Sequence, residues 1–330
     1  MKFKHLILVA GIFFLVSCNE NKKKADDNQQ QVSAKKVEIP TFNADSAYFF
    51  TEKQVAFGPR VPNTKAQELC ADFLVSTLKK YCKYVQVQSF QSKSWDGTLL
   101  KGKNIIASFN PESNNRIFFS SHWDSRPYAD YDEDVKNNRK PILGANDGAA
   151  GVGILLELSR LFNQKQLNIG VDLILFDVED YGEPKGTTTN GEENWCLGSQ
   201  YWAKNPHKQG YFAKYGVLLD MVGAKNAVFT MENTSMYYAP DIMKMVWDIA
   251  ATLGYEHYFS TEKTGALIDD HLYINKIAKI PTVDIVHHDP STVSGFFPYW
   301  HTVKDDMSNI DKTTLTIVGN TLLTVAYGEE

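Results

Sequence analysis

Apolar runs of strand length, set between helical patterns, do most to limit how this chain can fold. The runs fall at Tyr84–Phe90, Asn104–Phe109, Arg116–Ser121, Val171–Phe176, Tyr215–Leu219, Ala227–Met231 and Pro281–Val286. Helical periodicity falls at Thr64–Tyr81, Gly148–Phe162, Trp195–Lys204, Pro240–Leu253 and Lys312–Tyr327. Strands that alternate with helices predict an α/β sheet covered on both faces. In such sheets the ligand site lies beyond the carboxyl ends of the strands.

Those ends share one chemistry. "RIFFSS" runs into His122, Trp123 and Asp124, and "LILF" into Asp177, Glu179 and Asp180. Asp220 closes "YGVLL", and "PTVDIV" leads to His287, His288 and, further on, His301. The loop "GANDGAAG" before the Gly148 helix adds Asp147. Taken singly, Asp147 and Asp220 read as caps and His122 as a satisfied histidine. Five connections converging on one edge argue for a site instead.

Carboxylates packed as tightly as Asp177, Glu179 and Asp180 repel unless a cation holds them ionised. Oxygen and imidazole donors without thiolates suit an open catalytic Zn²⁺ site. Adjacent strand residues point oppositely, so Glu179 and Asp180 are expected to split roles, one on metal and one as proton carrier. Asp177 is expected to orient its neighbours.

The chain begins with Lys2 and Lys4, an apolar run from Leu6 to Val16, and Leu15-Val16-Ser17-Cys18. The four last positions resemble a bacterial lipobox, cleaved before a Cys that then receives lipid. The expected organisation is a signal peptide over 1–18 ending at lipidated Cys18, a flexible polar tether over 19–40, and a single catalytic α/β domain over 41–330. The expected location is the bacterial cell envelope, lipid-anchored and periplasm-facing, at the outer membrane. A net charge of −5 without a basic stripe speaks against nucleic acid. Cys70, Cys82 and Cys196 allow at most one disulfide, or three structural thiols.

Three other signals are discounted. "GANDGAAGVG" lacks the GK[ST] ending of a nucleotide loop. Asp130–Asp134 lacks the Gly and closing Glu of a calcium loop and reads as a solvated insertion. His287–Asp289 reads as a hydrogen-bonded loop rather than a second metal site.

Together "HWD", "GANDGAAG", "FDVED", "LLDMVG" and "WHT" resemble the zinc-dependent exopeptidases of the M28 type, in order from Arg116 to Asp305. That resemblance implies a three-layer α/β/α sandwich around a central mixed, mostly parallel twisted sheet. "HWDSRPYAD", "IDDH" at Ile268–His271, Trp195 and the Trp before His301 look most like the glutaminyl-peptide cyclotransferases. By that resemblance one zinc per chain is held by Asp147, Asp180 and His301, and Glu179 moves protons. Asp220 and Asp269 form an acidic hydrogen-bonded pair, and Trp195 and Trp300 wall the pocket. The implied substrates are peptides or exported proteins with N-terminal Gln. Asp180 departs from the Glu of the animal enzymes, and Asp284 from their His; Asp284 is given no role. Two-zinc aminopeptidases of the same superfamily would add His122 and Asp220 as ligands. A binding lipoprotein on the same scaffold is the third reading.

Overall fold

Strands and helices alternate for most of the chain in a computed structural model that describes residues 38–187 and 191–329. The expected signal peptide, Cys18 and nearly all of the tether lie outside the described residues. After α1 (Ala44–Val55) and α2 (Lys65–Tyr81) come β1 (Tyr84–Lys93), β2 (Leu99–Phe109) and β3 (Arg116–His122). Then follow α3 (Gly151–Gln164), β4 (Gly170–Phe176), α4 (Leu197–Lys204) and β5 (Gly216–Asp220). The remainder is β6 (Phe229–Glu232), α5 (Asn233–Tyr238), α6 (Pro240–Thr252), β7 (Phe259–Thr264), α7 (Asp270–Tyr273), β8 (Thr282–Val286) and α8 (Lys312–Gly328).

Six strands form one sheet in the order β1-β2-β4-β3-β5-β8. The β1/β2 and β2/β4 pairs are antiparallel, whereas β4/β3, β3/β5 and β5/β8 are parallel. This is the expected mixed, mostly parallel sheet. A parallel sheet buried on both faces must read apolar at every position. Ile105, Ile117, Phe119, Leu173 and Leu175 enter the larger core with residues of α1, α2, α3 and α8. Their alternate neighbours Ile106, Phe118, Ile174 and Phe176 pack against Trp202 of α4 and Ile274 on the opposite face. The two-residue period of a strand thus divides each run between two helical layers. Each such fully buried side chain contributes about 1.5–3 kcal/mol.

Parallel pairing puts the carboxyl ends of β3, β4 and β5 on one edge. The Trp123 N–H donates to Phe176 O at 2.9 Å, tying the β3 and β4 exits together. Four elements escape the sequence patterns, α1, α5, α7 and β7, the last pairing with β6 in a separate two-stranded sheet. Cys70, Cys82 and Cys196 are buried free thiols. Among the described residues no helix is long and apolar enough to cross a membrane.

Candidate metal centre and pocket

Each residue at this edge is set by a local backbone device. β4 ends at Phe176, and Val178 then takes a left-handed conformation at φ 59°. Glu179 and Asp180 therefore diverge on a turn, not on a strand as the alternation argument supposed. The Asp124 carboxylate fixes that turn, accepting the N–H of Glu179 at 3.0 Å and of Asp180 at 3.2 Å. Asp147 lies in the tight turn over Ala145–Ala150 that leads into α3. Its N–H and that of Asn146 donate to Asp305 at 3.1 and 2.8 Å. Gly148, at φ 118°, presses on His122; a Cβ there would stand 2.7 Å from His122 Nε2. Only glycine allows both the backbone angle and that approach. His301 is also left-handed, at φ 55°.

Two donor groups result, sharing Asp147. Asp147, Asp180 and His301 offer one atom each within 4.8 Å of one another. His301 Nε2 lies 3.2 Å from Asp180 Oδ1 and 3.6 Å from Asp147 Oδ2. His122, Asp147 and Asp220 form the second group, with His122 Nε2 3.0 Å from Asp147 Oδ1 and 3.3 Å from Asp220 Oδ1. Asp147 Oδ2 and Asp180 Oδ2 are buried with no hydrogen-bond partner. A buried carboxylate oxygen left unpaired costs free energy unless a cation takes it up. The donor set of two carboxylates and an imidazole fits zinc.

The protonation landscape follows from crowding. Burial lifts the Glu179 carboxyl well above the usual range; His122 opposes this, while Asp180, Asp269 and Asp270 add to it. Burial likewise raises Asp220 to about 7 against its His122 bond, with Asp147 and Asp269 adding charge. Asp305 rises to about 7 through burial and the Asp147 charge, although two backbone N–H groups oppose it. Burial works against charge on His122, yet Asp124, Asp147 and Asp220 hold its pKa well above the usual value.

Around the metal position lies a cavity of about 70 Å³ lined by Glu179, Trp195, Asp220, Asp269, Phe296 and Trp300, among others. The Trp300 ring stacks on His301 at 3.6 Å, and Trp195 lies parallel to it at 6.3 Å. Both tryptophans line the cavity. The Cys196 thiol donates to Glu179 Oε1 at 3.1 Å.

Two expectations need correction, those for the Asp220–Asp269 pair and for Asp130. Asp220 bonds His122, and Asp269 acts on Asp220 through charge. Asp284, given no role, is buried beside Asp269 and His271. Asp177 Oδ1 accepts the N–H of Val178 at 3.0 Å, on the turn that carries Glu179 and Asp180, and Asp177 also accepts from Gln67 Nε2 and Lys103 N, both at 2.8 Å, so it pins α2 and β2 to the end of β4. Asp130, read as solvated, is buried and forked to Arg126 through bonds of 2.9 and 2.7 Å. Its Oδ1 lies 3.5 Å from His301 Nδ1, and against burial Arg126 and His301 hold its pKa well below the usual range. Sequence reasoning placed Asp124 at the edge without a role and missed the parts played by Arg126, Asp130, Cys196 and Asp305. "HWDSRPYAD" contained the first three, but nothing in its spacing shows what they touch.

An α/β sheet whose carboxyl edge gathers Asp147, Asp180 and His301 for a metal defines a zinc-exopeptidase type of scaffold. A model of Peptidase family M28 matches residues 104–326, and the chain belongs to that family. The glutaminyl cyclase of Bacteroides thetaiotaomicron, solved bound to N-acetylhistamine, is 52% identical with a TM-score of 0.87, covering 89% of this chain and 100% of that one. The Tannerella forsythia glutaminyl cyclase is 51% identical with a TM-score of 0.86, covering 88% and 100%. A glutaminyl-peptide cyclotransferase of Drosophila melanogaster is 27% identical over 285 residues, 78% of this chain and 73% of that protein.

Proposed function

We propose that this protein is a zinc-dependent glutaminyl-peptide cyclotransferase, converting N-terminal Gln of peptides and exported proteins to pyroglutamate with release of ammonia. The observation that carries the reading is Glu179, which stands outside the Asp147–Asp180–His301 group and beside Asp269 in an indole-walled cavity. At about 70 Å³ that cavity is far below the ~300–1,000 Å³ usual for ligand pockets. It suits one side chain folded on itself rather than an extended peptide.

Asp147, Asp180 and His301 would hold one zinc ion, which supplies a Lewis acid for the γ-carboxamide oxygen. The nucleophile is the substrate's own α-amine, so intramolecular attack begins with a high effective molarity once the side chain is folded. Glu179 removes a proton from that amine and returns one to the departing ammonia; burial raises its carboxyl pKa above the usual range and so strengthens it as a proton acceptor. Trp195 and Trp300 exclude the water that would compete for the acyl carbon.

A two-zinc aminopeptidase is the second reading, because His122, Asp147 and Asp220 converge as well. His122 Nε2 lies 3.0 Å from Asp147 Oδ1 and 3.3 Å from Asp220 Oδ1, so the second group is as tightly gathered as the first, and the count of ions is left to experiment. The mass of a Gln-led peptide after incubation decides: loss of ammonia is expected, loss of the whole residue supports hydrolysis, and no change supports a binding protein. Near one zinc per chain by elemental analysis is expected, against two for hydrolysis.

The Leu15–Cys18 motif supports an envelope location, with the domain tethered by lipid and facing the periplasm. Fatty-acid labelling of the expressed protein, lost in Cys18→Ala, is the expected result.

A further inference from the structure

The two indoles that wall the cavity are held in different ways. Trp300 is wedged among rings, with His301 at 3.6 Å, Tyr131 at 4.5 Å and Phe296 at 4.8 Å between centroids. Trp195 is half-buried, lies parallel to His301 at 6.3 Å, and rests along one side on the cluster of Leu272 and Tyr273. A cation and a glycine fix its plane. The Arg126 guanidinium stands 4.6 Å from the Trp195 ring centroid, and a Cβ on Gly182 would collide with that ring. Gly182 does not take a left-handed backbone, so the close approach of the indole is the demand that glycine meets there.

Arg126 is itself held on every edge. It is buried, and its five N–H donors meet five acceptors. Nε and Nη2 fork onto the Asp130 carboxylate, and Nη1 donates to Asp180 O at 3.1 Å and Asp180 Oδ1 at 3.4 Å. Nη2 also donates to Glu183 O at 3.1 Å. Asp130 accepts the Lys185 N–H at 2.8 Å, so the pair grips the segment 180–185 at Asp180, Glu183 and Lys185, with Gly182 inside the span. With its edge saturated, the guanidinium has only its flat faces left to offer. One of them meets Trp195, and such a contact strengthens when both partners are withdrawn from water. One side chain thus joins a metal donor, Asp180, to a wall of the substrate cavity.

Building on the cyclase reading, we propose that Arg126 is a positioning residue that acts through Trp195: with Gly182 beneath the ring, its guanidinium holds the indole in the plane against which the folded Gln side chain packs. The substrate then meets a preformed wall and does not have to order one.

The test uses the zinc-loaded protein labelled with 5-fluorotryptophan. The fluorine resonance of Trp195, assigned by its absence in Trp195→Phe, should shift or broaden in Arg126→Lys and in Gly182→Ala, and that of Trp300 should stay in place. Lysine keeps the charge beside Asp180 and loses the planar face. A Trp195 resonance that moves no more than that of Trp300 in Arg126→Lys overturns the proposal; where that variant does not fold, the same result in Gly182→Ala overturns it. This arm needs no substrate, so a wild type that fails to cyclise Gln counts against the assigned reaction alone. In kinetics at saturating zinc, Arg126→Lys and Gly182→Ala should each raise KM for a Gln-led peptide about tenfold, the scale of one desolvated cation–π contact. Their kcat should stay within about threefold of wild type, because a wall that touches bound substrate and transition state alike acts on binding. Both penalties should vanish in a Trp195→Ala background, where the contact has already lost its partner. A wild-type KM in Arg126→Lys, or penalties that multiply with that of Trp195→Ala, overturns the proposal.

Discussion

Glu179 and Asp180 are neighbours in sequence, yet they do opposite work because of what each touches. Asp180 turns toward His301 and leaves one buried oxygen unpaired, while Glu179 takes a thiol hydrogen bond from Cys196 and faces the cavity. Glu179→Gln keeps the shape of the side chain and removes its proton affinity. It is expected to retain zinc by elemental analysis and to lose kcat by ~10²–10⁴, the usual contribution of a positioned general base. Wild-type turnover in that variant would remove Glu179 from the mechanism. Cys196 is buried and left-handed at φ 56°, with its thiol pKa pushed up by burial and by Glu179, so it stays a donor. Cys196→Ala should lower kcat about tenfold with zinc unchanged, and Cys196→Ser should restore most of it. Both acids were legible in the sequence because acids at strand ends are rarely idle. Cys196 was not legible, since its contact with Glu179 depends on a left-handed turn seventeen positions away.

The strand runs were legible because burial on both faces leaves a continuous apolar signal, as Ile117 and Phe119 show on one face and Phe118 on the other. Helix α1 was not, because its buried side includes Thr51 and Gln54, which blur the apolar period. Gln54 Nε2 donates to Ala149 O at 3.0 Å, so that polar residue supports the turn bearing Asp147. Strand β7 is polar and largely exposed and carries no apolar run at all. The turn over Ala145–Ala150 is where element geometry meets the metal site. Asp305 is its clasp, through two backbone N–H groups. Asp305→Ala frees that backbone and should weaken zinc binding by about 10–100-fold, the usual cost of losing a group that orients a ligand. Competition against a chromogenic chelator measures this. Unchanged affinity would mean that the turn holds itself.

At the scale of the whole molecule, the concentration of buried acids makes folding depend on pH in a direction opposite to that of ordinary surface carboxylates. A carboxyl whose pKa is raised by folding stabilises the fold below its unfolded value of about 4 and loses that contribution as pH climbs through the folded value. Asp220 and Asp305, both raised to about 7, put this loss between pH ~4 and ~7. Asp177, Glu179, Asp270 and Asp284, raised well above their usual values, act with the same sign. So does His122, whose raised pKa favours the fold until pH passes the folded value. Asp130 and Glu232 are lowered, so their contribution is present above the unfolded range and lost only in acid. Burial lowers His287 to about 4, which opposes the trend by destabilising the fold as pH falls below its unfolded range. Burial lowers His207 as well, and two opposing histidines against this many raised carboxyls leave the sign with the acids. The melting temperature of chelator-treated protein should therefore fall as pH rises from about 5 to 8. Zinc binding requires an ionised Asp180 and a neutral His301, whose pKa values are both raised in the metal-free protein, so the stabilisation by added zinc should grow over the same interval. Differential scanning fluorimetry with and without zinc across that range tests both slopes. A metal-free melting temperature that rises with pH would show that the acids at the sheet edge are paired by something other than a cation.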